Sequence, residues 1–159
     1  MTGGWQPWKN GGGRTRTLAT HPEGAGMEDF AWRISLAEIA AAGPFSAFAG
    51  VERLFTPVAG DPVRLTIDGE TVPAGPETAP LRFDGAAEVH AEPTGGPLIV
   101  LNLMCRAPFR AEVTRGAPLP AGAVWQGVLD PATLELSQTG KGLRIGLYDH
   151  SGSSGTASS

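Results

Sequence analysis

Turn signals return about every ten residues along this chain, each pair bracketing one short apolar segment, and that spacing constrains the fold more than any other feature. Asp68-Gly69, set between the alternating segments "VRLTI" and "ETV", is the strongest of them, because both residues accept the positive φ of a two-residue hairpin turn. The 23 glycines and 14 prolines among 159 residues supply the rest of the punctuation. Further strands are expected at "VERLFTPV", "AAEVHAE", "LIVLNLM", "FRAEV", "AVWQGVL", "TLEL" and "LRIGLY". One segment, "FAWRISLAEIA", has a helical look. Trp32, Ile34 and Leu36 alternate with Arg33 and Ser35 at period two, however, and "AAGPF" ends the run, so residues 31–37 read as a strand. The expectation is an all-β barrel or sandwich in one domain over residues 1–150, long enough to bury a real core. The final "SGSSGTASS" has nothing to bury and reads as a disordered tail, residues 151–159.

Charge and composition remove several function classes. Twelve basic against 16 acidic residues give a net charge of -4, which disfavours a nucleic-acid partner unless the bases cluster on one face. No run approaches a membrane span, and "MTGGWQPWKN" lacks the apolar centre of a signal peptide, so a cytoplasmic protein without membrane contact is expected. Cys105 has no second cysteine to pair with and ends the apolar run "LIVLNLMC", so it reads as a small buried hydrophobe. His21, His90 and His150 are scattered; "HAE" alone could place two ligands, His90 and Glu92, on one side of a strand, and it lacks a third. No G-x-S-x-G elbow occurs, and the lysine of "KNGGGRT" precedes its glycines, which rules out a phosphate-binding P-loop. The segment "WKNGGGRTR" is then either a flexible leader or a backbone shaped to bring polar groups to a ligand.

Three polar residues stand where apolar ones are expected. Asn102 shares a strand face with Leu98, Val100 and Met104, and an amide left unpaired there costs about 1–3 kcal/mol. It either ties down a neighbouring loop or faces a cavity and meets a ligand. Arg33, followed at period two by Ser35, either points outward or clamps a carboxylate in bidentate fashion.

The order "PWKNGGGRTR", "FAWRISLAEIAAAGPFSAFAGVERLF", "LRFDG" and "LNLMCR" resembles the HutD/Ves family, cupin-like proteins associated with bacterial histidine utilisation. The likeness covers residues 7 to about 114; the remainder adds only β character. It implies a cupin-like double-stranded β-helix in a bicupin arrangement, two β-barrel halves in one chain around a small pocket. The matching positions are Trp8, Lys9, Asn10, Gly11, Gly12 and Gly13, then Arg33, Ser35 and Glu38, then Pro44, Phe45 and Ser46, then Asn102 and Met104. It further implies a ligand that is a small acidic metabolite of histidine breakdown, such as formylglutamate, urocanate or formate, bound so as to restrain that pathway. The histidine cluster by which many cupins hold metal is missing, in keeping with a barrel that binds without metal or cofactor.

Three functions can be weighed on this basis. The favoured one is a metal-free binding protein in which Lys9 and Arg33 attract a carboxylate while Asn10, Ser35 and Asn102 orient it. The alternative is a cupin enzyme, a hydrolase or isomerase of a similar acid, with Glu38 or His90 as general base. The third is an interaction protein whose apolar face pairs with itself or a regulator; a homodimer through sheet edges would also suit the family.

Overall fold

The computed structural model describes residues 4–9 and 11–151. Fourteen strands are formed among them: β1 (Gln6–Pro7), β2 (Gly13–His21), β3 (Trp32–Ile39), β4 (Gly43–Pro44), β5 (Glu52–Gly60), β6 (Val63–Ile67), β7 (Glu70–Ala74), β8 (Leu81–Asp84), β9 (Val89–Pro93), β10 (Leu98–Cys105), β11 (Phe109–Arg115), β12 (Trp125–Leu129), β13 (Leu136–Ser137) and β14 (Leu143–Asp149). No helix among the described residues is long and apolar enough to cross a membrane.

The apolar run of β10, broken by Asn102, needs cover on both faces, since successive side chains point to opposite sides. It gets that cover at the middle of a six-stranded antiparallel sheet of order β1-β2-β3-β10-β5-β8. One face carries Trp32, Ile34, Leu36, Leu54, Leu101 and Leu103, which pack against Leu129, Leu143, Ile145 and Leu147. Those last four come from a four-stranded sheet, β11-β14-β12-β13. The opposite face carries Ala37, Ile39, Phe55, Leu98 and Val100, packed against Val63, Leu65, Val89 and Ala91 of the sheet β4-β9-β6-β7. The fold is all-β with its two larger cores on either side of one shared sheet, compatible with the two barrel halves that the family resemblance implies.

Local chemistry accounts for most strand limits. Ile67 pairs with Glu70 across Asp68 (φ 48°) and Gly69 (φ 87°), the two-residue hairpin expected from the sequence. The strand expected over residues 31–37 runs to Ile39. "TLEL" is a strand only at its last residue: the Asp130 carboxylate accepts from the Ala132 and Thr133 amides and holds this stretch in a turn, with Leu134 at φ 63°. The long β2 was not anticipated. Its threonines and arginines lack a clean apolar alternation, and the strand is half-buried along most of its length. The serine-rich tail beyond Ser151 lies outside the described residues.

Cys105 is only 2% exposed, and burial, reinforced by the negative charge of Glu52, pushes its thiol up to about 12. The native protein is therefore expected to resist a thiol reagent at pH 8 and to react fully once unfolded. Rapid native labelling of Cys105 would contradict this.

Candidate functional site

The cavity-facing side of the central sheet is a ladder of cross-strand rows. Arg33, Met104 and Arg53 form one row, with Thr20 beside Arg33 and Phe83 beside Arg53. The next row is Thr17, Ser35, Asn102, Phe55 and Leu81. The third begins Thr15, Ala37 and Val100. Polar groups are thus concentrated in the first two rows, and the surface turns apolar toward Ile39. Above these rows lies a cavity of about 660 Å³. Its other walls are Trp8 and Lys9 from the β1–β2 turn, Met27, and the segment that holds Phe45, Ser46 and Phe48.

Both arginines in the first row reach the cavity without an anionic partner. Arg33 donates from Nη2 to Thr17 Oγ1 at 2.7 Å. Arg53, 5% exposed, donates from Nη1 to the Ser46 carbonyl at 3.0 Å, and its guanidinium lies 5.3, 5.6 and 5.5 Å from the rings of Phe45, Phe48 and Phe83. Neither is paired with a carboxylate among the described residues, although Arg14, Arg64, Arg82 and Arg110 all are. Burial lowers the pKa of Arg33. Burial first, and the nearby charge of Arg33 second, lower that of Arg53 to about 10. Among the described residues, three buried side-chain atoms lack any hydrogen-bond partner: Arg53 Nε, Asn102 Oδ1 and Thr56 Oγ1. Two of these belong to residues that line the cavity. Among the described residues, its lining contains three cationic side chains (Lys9, Arg33 and Arg53) and no carboxylate, histidine or cysteine.

The expected site residues divide clearly. Trp8, Lys9, Arg33, Ser35, Phe45, Ser46, Asn102 and Met104 all line the cavity. Glu38 does not: alternation along β3 turns it to the other face from Ser35 and Ala37, where it meets Arg14 Nε at 2.9 Å. Gly11, Gly12 and Gly13 do not line the cavity either, but they fold the chain that does. Trp8 N donates to Gly13 O at 2.8 Å and Gly11 N to Trp8 O at 3.1 Å, closing a turn with Gly11 at φ 77°. A Cβ on Gly13 would lie 2.2 Å from the Glu38 carbonyl oxygen and 3.0 Å from the Trp8 ring, so only glycine lets β2 pass there. Trp8 is held over the cavity by its Nε1 bond to Thr15 Oγ1 at 2.7 Å and by edge-on contact with Phe45. Asn10 lies outside the described residues. His90 and Glu92 sit on the exposed face of β9, where Glu92 pairs with Arg64 at 3.3 Å.

Arg53, Phe48, Phe55 and Met27 are cavity residues the sequence reading missed. A signal for the first was present: in "VERLF", Arg53 and Phe55 share a face at period two, a lone cation beside an aromatic on a core strand.

Residues 4–134 match the HutD family model. The chain is 36% identical over 150 residues to an uncharacterised 21.2 kDa protein in the hutC 3' region of Pseudomonas putida, covering 90% of this chain and 78% of that one. It is 39% identical over 104 residues to the protein Ves of Citrobacter koseri, covering 62% of this chain; it spans about half, 51%, of that relative's length. Among solved structures, HutD from Pseudomonas fluorescens SBW25 in a formate condition superposes with a TM-score of 0.75 at 29% identity, covering 92% of this chain and 94% of that one.

Proposed function

The chain belongs to the HutD family, and from that premise we propose that it is a small-molecule binding protein whose cavity takes a small carboxylate and so modulates histidine utilisation. The observation that carries this reading is two guanidiniums, Arg53 buried and Arg33 half-buried, lining one cavity with neither paired to a carboxylate among the described residues. Unpaired buried charge is costly, and a carboxylate that accepts from both the guanidinium and neighbouring Ser35 would offset that cost. Asn102 Oδ1 additionally offers an unused acceptor to a ligand N–H or O–H. The hutC-region position of the Pseudomonas putida relative supports a place in histidine utilisation, and the formate condition of the Pseudomonas fluorescens relative makes formate a first acid to try. The two side chains considered as general bases, Glu38 and His90, are both away from the cavity, so nothing in its lining favours the enzyme alternative.

Calorimetric titration with formate, glutamate, urocanate and formylglutamate is expected to show saturable binding of at least one acid. Arg33→Ala should weaken it by roughly ten-fold or more, the worth of a hydrogen bond to a charged group. No heat with any of these acids, or binding indifferent to Arg33→Ala, would contradict the reading.

A further inference from the structure

We propose that the ligand class of this cavity is a small dianion, one negative end on Arg33 and the other on Arg53; this rests on the carboxylate reading above. The register carries the argument. Both arginines lie opposite Met104 on the two sides of β10, which sets their Cα atoms two strand spacings apart, about 10 Å. Each guanidinium is then fastened on its own side. Arg33 reaches to Thr17 on β2, away from β10, while Arg53 is held by the Ser46 carbonyl among Phe45, Phe48 and Phe83. Two cations fixed in this way form two stations rather than one fork. A monocarboxylate at either station leaves the other cation without an anion, whereas a dianion neutralises both and relieves the repulsion that Arg33 exerts on Arg53.

Asn102 lies between the stations, one row along the sheet, with its Oδ1 unsatisfied. The middle of the ligand therefore faces a polar acceptor, and its flanks face the rings of Phe45 and Phe55. The cavity volume of about 660 Å³ accommodates a short dicarboxylate with ordered water beside it.

The test compares glutarate with glutaramate, which has the same shape and one negative charge fewer, by calorimetry on the full chain at fixed ionic strength. Glutarate is expected to bind roughly ten-fold tighter or more, the worth of one charge-assisted contact. In Arg53→Gln the two ligands should bind alike, while Arg53→Lys, which keeps the charge, should retain a preference for glutarate. Melting curves establish that each variant is folded, and the comparison of the two ligands on the unaltered protein stands even where a variant is not. Equal binding of glutarate and glutaramate to the unaltered protein overturns the dianion inference and leaves the carboxylate reading intact. Binding of neither, nor of any other carboxylate, overturns both.

Discussion

Arg53→Met is expected to make the protein more stable while sharply weakening its binding of a dicarboxylate. Among the described residues, Arg53, 5% exposed, has no partner for its Nε and no carboxylate to pair with, so the unliganded protein bears the cost of a buried charge. Methionine fills a similar volume among Phe45, Phe48 and Phe83 without that cost. Replacing buried ionic groups with apolar ones of like size is neutral to stabilising by about 1–4 kcal/mol, and Arg53 falls on the stabilising side because its charge is unpaired. Loss of the Ser46 contact offsets part of this, and a melting temperature higher by about 4 °C corresponds to the lower half of the range. Affinity for the ligand should fall roughly 100-fold, because truncating one partner of a desolvated charge pair costs several kcal/mol.

The pH dependence has a definite sign. Arg53 has its pKa lowered to about 10 in the fold, from 12.5, so the unfolded chain binds more protons over that interval. Its penalty is fully present below about 10 and is relieved as pH rises through that value. The stability advantage of Arg53→Met should accordingly be greatest at neutral pH and shrink above pH 10, while carboxylate affinity of the unaltered protein stays level to pH 9 and then falls. A variant that melts lower than the parent at pH 7, or one that binds as well, contradicts the assignment of Arg53 as a charge held for a ligand.

Gly13→Ala should be the most damaging single change in "WKNGGGRTR". The added methyl would overlap the backbone carbonyl of Glu38, which cannot rotate aside as a side chain would, and press on the Trp8 ring. Either β2 moves off β3, where Gly13 pairs with Ile39, or Trp8 leaves the cavity wall. Overpacking of this kind costs about 3 kcal/mol. Gly11→Ala differs in kind: its methyl meets nothing, and the cost of about 1 kcal/mol comes from the left-handed φ of 77°. Denaturant unfolding of both variants should rank Gly13→Ala as clearly the worse, with weakened carboxylate binding in it alone. The reverse ranking would mean that the glycines serve turn conformation rather than close passage of β2.

What could be read from the sequence follows from how much each residue reports about its own surroundings. Asp68-Gly69 sets a turn by backbone preference alone, and the structure has that turn. Arg33, Ser35 and Asn102 stood out because strand alternation fixed their face and that face was otherwise apolar, and all three reach one cavity. Glu38 was carried in by family likeness against the same alternation that admits Ser35, and alternation prevailed. The strand β2 was hidden because its neighbours, and not its own pattern, decide what it buries: Arg14 finds Glu38, Thr17 receives Arg33, and Thr15 receives Trp8. Arg53 escaped notice for a related reason. "VERLF" shows a cation on a core strand, but its lack of a carboxylate partner is a property of three elements meeting in space.

The most direct test of the central claim is the structure of this protein in complex with glutarate. The predicted result is the dicarboxylate lying across Met104, with oxygens at hydrogen-bond distance, about 2.8–3.0 Å, from the guanidiniums of Arg33 and Arg53. Glutarate bound elsewhere, such as in the groove of about 430 Å³ beside Gln126 and Arg144, with water alone over Met104, would contradict it.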